Sequence, residues 1–224
     1  SQKKMAPAAL NRRYKMLPHH YLGQYFYSLY VDGNIRIVRN PRDLVDKYLT
    51  RYCIAIPPHP DRSCVYDEVR ACIEMGVLRA SDVEAQIEEY AENGFPVNAG
   101  LWENNVILRK HNEPSVVRLM EDWWREYKEK SKRDQISLPY LRWKHGIEIG
   151  EIAEGPRVSS KYFSIGLHAS DLDAGWIRKV SRYALANRHR RLMYRAMAQF
   201  VSLGISFRKR MLQRVRFKKR GICQ

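Results

Sequence analysis

Oxygen-bearing side chains that could bind a metal ion stand directly after an apolar segment. Asp32-Gly33-Asn34 follows residues 25–31, whose aromatic and β-branched residues predict a buried strand. Mg²⁺ and Mn²⁺ take oxygen ligands, and two such side chains across a glycine could hold an ion against a diphosphate. The same Asp-Gly pair is also a strong hairpin-turn signal. The sequence leaves a metal site and a plain turn as alternatives.

A second polar group follows the next apolar segment, residues 53–56, which also reads as a strand. In α/β sheets, loops that contact ligands gather at strand ends. His59 could bind a phosphate or a sugar there, and Arg62 could hold an anion with two hydrogen bonds. Alternatively, Asp61 neutralises Arg62 in an ordinary surface pair.

A third group precedes the predicted strand at residues 106–108. Gly100 would let a substrate approach the backbone closely. Trp102 offers a flat apolar face for a sugar ring, and Glu103 offers a carboxylate for acceptor hydroxyls. A tight turn that leads into a core strand explains the same residues equally well.

Two further positions could take part in the chemistry. Asp134 and Gln135 begin a predicted helix, where a carboxylate could act as a catalytic base or bind a sugar hydroxyl. The helix dipole alone also favours a carboxylate there. His168 follows the predicted strand 162–165 and could complete a metal site with Asp32, although a single histidine can equally serve packing.

Predicted strands alternate with predicted helices, which indicates an α/β domain. Asn40 is predicted to cap the helix at 41–49, and Ser81 to begin an acidic helix through a capping box. Trp123 and Trp124 are predicted to pack in the core. The strands are predicted at 25–31, 35–38, 53–56, 106–108 and 162–165, the helices at 41–49, within 65–92, at 115–130, from about 133 and from 176 onward, and the stretch 146–160 is predicted to be a loop.

The net charge of +16 is concentrated at one end of the chain. Residues 174–224 contain 15 Lys and Arg and no Asp or Glu, whereas residues 1–173 are nearly neutral. We therefore predict a domain at 1–173 and a basic, amphipathic, helical extension at 174–224. Such a helix is drawn to an anionic membrane surface. Packing on the domain is an alternative, and the absence of a nucleic-acid motif disfavours a nucleic-acid partner.

Two absences in the sequence bear on location. No apolar run resembles a signal peptide or reaches the length of a bilayer span. The four cysteines lack the spacing of a zinc site or a disulfide framework. We predict a cytoplasmic protein, peripheral at the inner face of the membrane.

The order of these motifs resembles a known family. It is similar to the glycosyltransferase-like family named for plant mucilage-related and turgor-regulation proteins, with bacterial members near capsule and surface-polysaccharide genes. The resemblance covers about residues 10–168 and rests on Lys15-Met-Leu-Pro-His19, Tyr30-Val-Asp-Gly-Asn-Ile35, His59-Pro-Asp-Arg-Ser-Cys64, Gly94-Phe-Pro96, Gly100-Leu-Trp-Glu103, Val106-Ile-Leu-Arg109, Trp123-Trp124 and Arg133-Asp-Gln-Ile-Ser137.

The resemblance implies a GT-A-like, Rossmann-related mixed sheet flanked by helices, and a Mn²⁺ or Mg²⁺ ion. Asp32-Gly-Asn34 looks like the Asp-x-Asp element, with Asn in place of the second Asp, and His168 is similar to the histidine that closes such sites. Asp134 and Glu103 are the implied catalytic carboxylates. The implied substrate-binding residues are Lys15, His19, His59, Arg62, Gly100, Trp102 and Gln135. Family members begin with a further strand and loop, so the N-terminal part of the fold is expected to be missing here.

The predicted function is transfer of a sugar from a nucleotide-diphosphate donor to a glycan or lipid-linked acceptor in surface or capsular polysaccharide synthesis. Two rivals remain. A metal-assisted hydrolase of a lipid or glycan could use Asp32, His59 and His168. A non-catalytic module that binds carbohydrate or membrane is the other.

Overall fold

The computed structural model describes residues 5–159, 161–167, 171, 173–188 and 192–200. Their contacts divide the chain into two units, one of residues Ser1–Asp32 and Asn40–Gly155, the other of Gly33–Arg39 and Pro156–Gln224. The boundary therefore falls inside Asp32-Gly-Asn34. The predicted site His168 and the chain beyond residue 200 lie outside the described residues.

The first unit is built on a four-stranded mixed sheet in the order β1-β4-β3-β5. Its strands are β1 (Ser28–Val31), β3 (Ile54–Ile56), β4 (Val106–Arg109) and β5 (Ile149–Glu151). β4 runs antiparallel to both β1 and β3, whereas β5 is parallel to β3. The carboxyl ends of β1, β3 and β5 thus lie at the same edge as the amino end of β4.

Helices flank this sheet, which confirms the predicted α/β class and fits a GT-A-like architecture. Trp123 and Trp124 pack in the core as predicted, on the apolar face of the longest described helix. The helices are α1 (Pro7–Met16), α2 (Arg42–Tyr48), α3 (Val65–Glu74), α4 (Glu84–Glu92), α5 (Pro114–Glu129) and α6 (Asp134–Lys144).

The second unit pairs β2 (Ile35–Ile37) antiparallel with β6 (Phe163–Ile165) and contains helix α7 (Trp176–Ala186). Residues 192–200 are also helical. β2 pairs with β6 and β1 pairs with β4, so Asp32-Gly33 does not join two strands of one hairpin. None of the helices in the described ranges combines the length and apolar composition that crossing a bilayer requires.

Three local predictions were wrong or displaced. Residues 149–151 form a strand rather than a loop, and Gly150 there lies under the Tyr52 ring, where a Cβ would come within 2.6 Å of Cδ2. Ser81 does not start a helix, because α4 begins at Glu84 and Ser81 lies in a preceding 3₁₀ turn. Asn40 accepts a hydrogen bond from the Arg42 amide at 3.0 Å, but the cap position is Pro41, one residue later than predicted, because α2 begins at Arg42.

Candidate functional site

Three loops meet at the shared edge of the sheet. The loop after β1 begins with Asp32, the loop after β3 carries His59 and Arg62, and the segment before β4 carries Trp102 and Glu103. Backbone hydrogen bonds join them, from the Asp32 amide to the Asn105 carbonyl (2.9 Å), from His59 to Leu101 (2.8 Å) and from Glu103 to Pro57 (2.9 Å). The first unit thus brings these predicted site residues to one edge.

A buried cluster of charges lies at this edge; we call Arg12, Lys15, Tyr30, Asp32 and Asp134 the Lys15 cluster. Lys15 Nζ lies 2.5 Å from Asp134 Oδ2 and 4.0 Å from Asp32 Oδ1. Arg12 Nε lies 3.4 Å from the same Asp134 oxygen. The Tyr30 hydroxyl donates to Asp32 Oδ1 at 2.8 Å. Three residues predicted from the sequence for a site, Lys15, Asp32 and Asp134, therefore lie together.

The surroundings of Asp134 keep its carboxyl group ionised. Burial alone would raise the pKa of Asp134, but the Lys15 ammonium and the Arg12 guanidinium hold it below its usual value. Its backbone carbonyl accepts from Trp123 Nε1 at 2.9 Å and from Asn104 Nδ2 at 3.2 Å. A carboxylate whose pKa is lowered in this way is a weak proton acceptor. Its evident role is to hold Lys15, and its role as catalytic base stays a prediction.

Tyr30 and Arg109 support the cluster from the sheet. Burial and the Asp32 carboxylate raise the pKa of Tyr30, so its phenol stays protonated and can donate to Asp32. Arg109 is 1% exposed, and its Nη2 donates to the Lys15 carbonyl at 2.6 Å. Burial lowers the pKa of Arg109 to about 9, which leaves it charged at neutral pH. Arg109 therefore fixes the backbone that carries Lys15.

A second buried network lies around Glu68, on α3. The Glu68 carboxylate accepts from Arg62 Nε at 2.7 Å and from Arg133 Nη2 at 3.2 Å. His59 Nε2 lies 3.8 Å from it, and His59 Nδ1 accepts the Arg62 amide at 3.1 Å. Both predicted residues, His59 and Arg62, are thus ordered by a carboxylate that is 1% exposed.

The residues that begin α6 join the two networks. Arg133 reaches Glu68, Asp134 enters the Lys15 cluster, and Gln135 Nε2 donates to the Trp102 carbonyl at 3.0 Å. Lys132 turns the chain just before them with a φ of 54°. One short segment therefore fixes both networks against the loop that precedes β4.

An open cavity of about 670 Å³ adjoins that loop. Aromatic and polar side chains line it, including Tyr48, Tyr52, Asn98, Trp102, Arg142 and Glu151. The Arg142 guanidinium lies 5.8 Å from the centre of a Trp102 ring. Among the described residues, the buried Nε1 of Trp102 and Nε of Arg142 have no hydrogen-bond partner. The aromatic and polar lining of the cavity suits a hydroxylated ligand.

Gly100 is expected to be required for the shape of this cavity. It adopts a φ of +96°, and a Cβ there would lie 2.6 Å from Cη2 of Trp102. Gly100→Ala should lower the free energy of unfolding by about 2–5 kcal/mol, because a left-handed alanine costs about 1–2 kcal/mol and overpacking adds about 1–3 kcal/mol. Chemical denaturation measures the loss, and near-ultraviolet circular dichroism should report the displaced indole.

Gly76→Ala is the matched control. Gly76 has a φ of +70°, and nothing lies within 4 Å of a Cβ built there. In this variant the free energy of unfolding should fall only by the cost of a left-handed alanine, about 1–2 kcal/mol. Equal losses in the two variants would show that the Trp102 ring does not depend on Gly100.

Glu103 is buried at the shared edge, whereas Asn34 and His19 lie elsewhere. Glu103 is 6% exposed, and Asn105 Nδ2 donates to it at 3.5 Å. Asn34 belongs to the second unit, where its Nδ2 donates to the Gly166 carbonyl at 3.4 Å. His19 Nε2 lies 2.9 Å from Glu121 Oε1 on α5. The predicted ligand set Asp32, Asn34 and His168 is thus spread over both units and beyond the described residues.

Sequence reasoning missed Arg12, Tyr30, Glu68, Asn104 and Arg133. Glu68 carried a detectable signal, since it occupies the apolar stripe of α3 together with buried Val65, Val69 and Cys72. A carboxylate on such a stripe must be paired, which predicts buried cationic partners.

Relatives of this chain identify its family. A family model described as TOD1/MUCI70, glycosyltransferase-like domain, matches residues 9–152. A probable hexosyltransferase, MUCI70 of Arabidopsis thaliana, is 29% identical over 138 residues, which are 57% of this chain. The chain spans about a quarter of that relative, 24% of its length. No solved structure matches. With a match over more than half of its length, the chain belongs to the TOD1/MUCI70 glycosyltransferase-like domain family.

Proposed function

We propose that this chain transfers a sugar from a nucleotide-diphosphate donor to a glycan or lipid-linked acceptor in surface or capsular polysaccharide synthesis. The observation that carries the proposal is the Lys15 cluster, which sets two cations and the Asp32 carboxylate at the edge where the ligand loops meet. Family membership and the similarity to a probable hexosyltransferase support the same reaction class.

The donor half of the site is assigned to Asp32, Lys15 and Arg12. The Asp32 side chain is 28% exposed, so its carboxylate can reach a ligand from solvent. A carboxylate oxygen at a strand end is the ligand type that Mg²⁺ and Mn²⁺ use together with substrate phosphates, so the residues fit the expected ion. A bound ion would offset charge on the leaving diphosphate. Arg12 and Lys15 offer further positive charge to the same phosphates.

The acceptor half is assigned to the cavity beside Trp102. Arg142 can donate to the oxygens of a sugar there, and the Trp102 indole, which is 4% exposed, forms part of the cavity wall. In the reaction the acceptor hydroxyl oxygen bonds to the anomeric carbon, the bond from that carbon to the diphosphate breaks, and a carboxylate takes the hydroxyl proton. Asp134, which is bonded to Lys15 and Arg12, and Glu103 are the two carboxylates proposed for that role.

Binding of nucleoside diphosphates tests the donor half. Titration calorimetry with UDP and GDP, each with and without Mn²⁺, should show one binding nucleotide whose affinity rises with the ion. Arg12→Gln should weaken it at least about tenfold, or about 1.4 kcal/mol. Arg70→Gln, which alters an arginine that is 74% exposed and paired with Asp67, should leave it unchanged. Failure of every nucleotide to bind, with glycan binding retained, would favour a non-catalytic carbohydrate-binding module.

We further propose that the basic extension holds the enzyme at an anionic membrane surface, on the cytoplasmic side. Apolar side chains of α7 are exposed to solvent, with Trp176 74% and Ile177 64% exposed. Arg178, Lys179 and Arg182 accompany them on the same helix. Exposed apolar groups among cations are what an interfacial helix requires.

Vesicle sedimentation tests this placement. The chain should bind vesicles that contain phosphatidylglycerol and not purely zwitterionic ones, because each cation near an anionic surface contributes about 1 kcal/mol. Trp176→Ser with Ile177→Ser should lower the bound fraction at least about threefold. The control pair Phe26→Ser with Val97→Ser removes equally exposed apolar groups from the first unit and should bind normally. Equal binding by both pairs would exclude α7 as the contact.

A further inference from the structure

Two histidines and a glutamate meet on the first unit, outside the residues assigned to donor and acceptor. His19 Nε2 and His20 Nε2 lie 2.9 Å and 2.8 Å from the same atom, Glu121 Oε1. The three ligand atoms all lie within 4.8 Å of one another, and within the described ranges theirs is the one such group of three or more His, Cys, Asp or Glu residues.

The backbone presents these side chains in a fixed arrangement. His19 and His20 belong to a 3₁₀ turn, Pro18–His20, that directly follows α1. The Pro18 carbonyl accepts from the Tyr21 amide at 3.0 Å and from the Leu22 amide at 2.8 Å, which closes the turn. Glu121 lies on α5 beside the buried Met120. The two helices that carry the ligands are thus anchored in the core.

The three side chains differ in their exposure to solvent. The His19 side chain is 10% exposed, whereas those of His20 and Glu121 are 42% and 41% exposed. The group therefore has one sheltered ligand and an open side through which an ion and its water can enter.

We propose that His19, His20 and Glu121 form a zinc-class transition-metal site. Two imidazole nitrogens and one carboxylate oxygen suit Zn²⁺, whereas Mg²⁺ and Mn²⁺ prefer oxygen ligands. Zinc bonds of about 2.0–2.1 Å place tetrahedral ligands about 3.3 Å apart, so each imidazole nitrogen needs to move only about half an ångström away from Glu121 Oε1. Three protein ligands leave the fourth position to water or another ligand.

Two features define how the site should behave. Within the described part of the chain, the buried Nδ1 of His19 has no hydrogen-bond partner, and metal-bound histidines normally use that second nitrogen. The site is therefore an exchangeable one rather than a permanent structural centre. It would also link the end of α1, which carries Lys15 and Arg12, to α5, so that bound metal stabilises the helix that supplies the donor-site cations.

Zinc competition on the full chain tests the site independently of any nucleotide. With a chromophoric chelator and millimolar Mg²⁺ present, the wild-type chain should take up Zn²⁺, and the ion should raise its melting temperature. His20→Gln and Glu121→Gln should each bind one equivalent less, or bind it at least about tenfold more weakly, because each removes one of three ligands. Both should also lose the rise in melting temperature.

His145→Gln provides a matched control. His145 Nε2 lies 2.8 Å from Asp122 Oδ2, and Asp122 is the residue next to Glu121 on α5. This variant therefore breaks a histidine–carboxylate pair that does not belong to the proposed site. It should bind zinc like the wild type. His20→Gln alters a half-exposed side chain, so it is expected to fold. If His20→Gln and Glu121→Gln bind zinc and gain thermal stability like the wild type, or if the wild type binds none, the proposed site is wrong.

Discussion

Replacement of Lys15 by methionine is expected to lower the free energy of unfolding by about 3–5 kcal/mol at pH 7. Lys15 is 2% exposed, and its removal leaves the buried Asp134 carboxylate with Arg12 alone, at 3.4 Å. Methionine fills nearly the same volume, so the loss comes from the uncompensated charge. Urea denaturation of the wild type and the variant at pH 7 measures it.

Two controls separate this effect from a general loss of a lysine. Lys47→Met breaks the bond from Lys47 Nζ to Glu154 Oε1 at 2.6 Å, but its side chain is 53% exposed, so the loss of stability should be far smaller than in Lys15→Met. Asp134→Asn added to Lys15→Met removes the orphaned charge and should recover much of the lost stability. Equal losses for Lys15→Met and Lys47→Met would contradict the description of Lys15 as a buried ion partner.

The pH dependence of the Lys15→Met variant gives a further expected result. In the wild type the pKa of Asp134 is lowered, so its pair contributes stability above the unfolded pKa that is lost as the pH falls through the native pKa. Without Lys15, burial should raise the pKa of Asp134 above its unfolded value. A group whose native pKa is raised makes the protein less stable as the pH rises. The difference in the free energy of unfolding between the wild type and the variant should therefore be smaller at pH 5 than at pH 7.

Asp32→Asn is expected to lower kcat/KM for sugar transfer at least about a hundredfold, or about 2.7 kcal/mol, under the proposed function. The amide is a poorer ligand for a hard cation than the carboxylate. The fold should be retained, because the amide oxygen can still accept from the Tyr30 hydroxyl and the side chain is partly exposed. Turnover of a nucleotide sugar and thermal melting, measured on the same preparation, separate catalysis from folding.

Asp67→Asn is the control for Asp32→Asn. Asp67 is an exposed carboxylate that pairs with Arg70 on the surface of α3, and its loss should leave turnover unchanged. Nucleotide binding in the absence of metal should survive in Asp32→Asn, because Arg12 and Lys15 remain. Full turnover by Asp32→Asn would remove Asp32 from the proposed donor site.

Local sequence patterns predicted those parts of the fold that local physics decides. The last four residues of the predicted strand 25–31 form β1, whereas residues 25–27 precede it and are exposed, and the amphipathic pattern at 115–130 became α5. The sequence did not predict β5, because Ile149-Gly-Glu is short and has no clear alternation of apolar and polar residues. Its strand conformation depends on pairing with β3. The Ser81 capping box failed because tertiary packing starts α4 later, at Glu84.

The sequence predicted which residues belong to the candidate site but not which of them contact each other. Asp134 and Lys15 were both identified, yet 119 positions separate them, and the sequence does not show that they bond to each other. The structure shows that Asp134 holds Lys15, and its role as a catalytic base stays a prediction. Glu121 raised no signal, because an exposed glutamate on an amphipathic helix is ordinary.

The separate pairing of β2 decides where this chain can be shortened. The family match ends at residue 152, so a cut there would be a natural choice for isolating the glycosyltransferase-like domain. It would remove β6 and leave β2, with Ile35 and Ile37, as an unprotected strand edge. Such an edge recruits strands from other molecules and promotes aggregation. Because Asn187 Nδ2 donates to the Ile165 carbonyl at 3.1 Å, a shortened version should retain the chain through Asn187, the residue that follows α7.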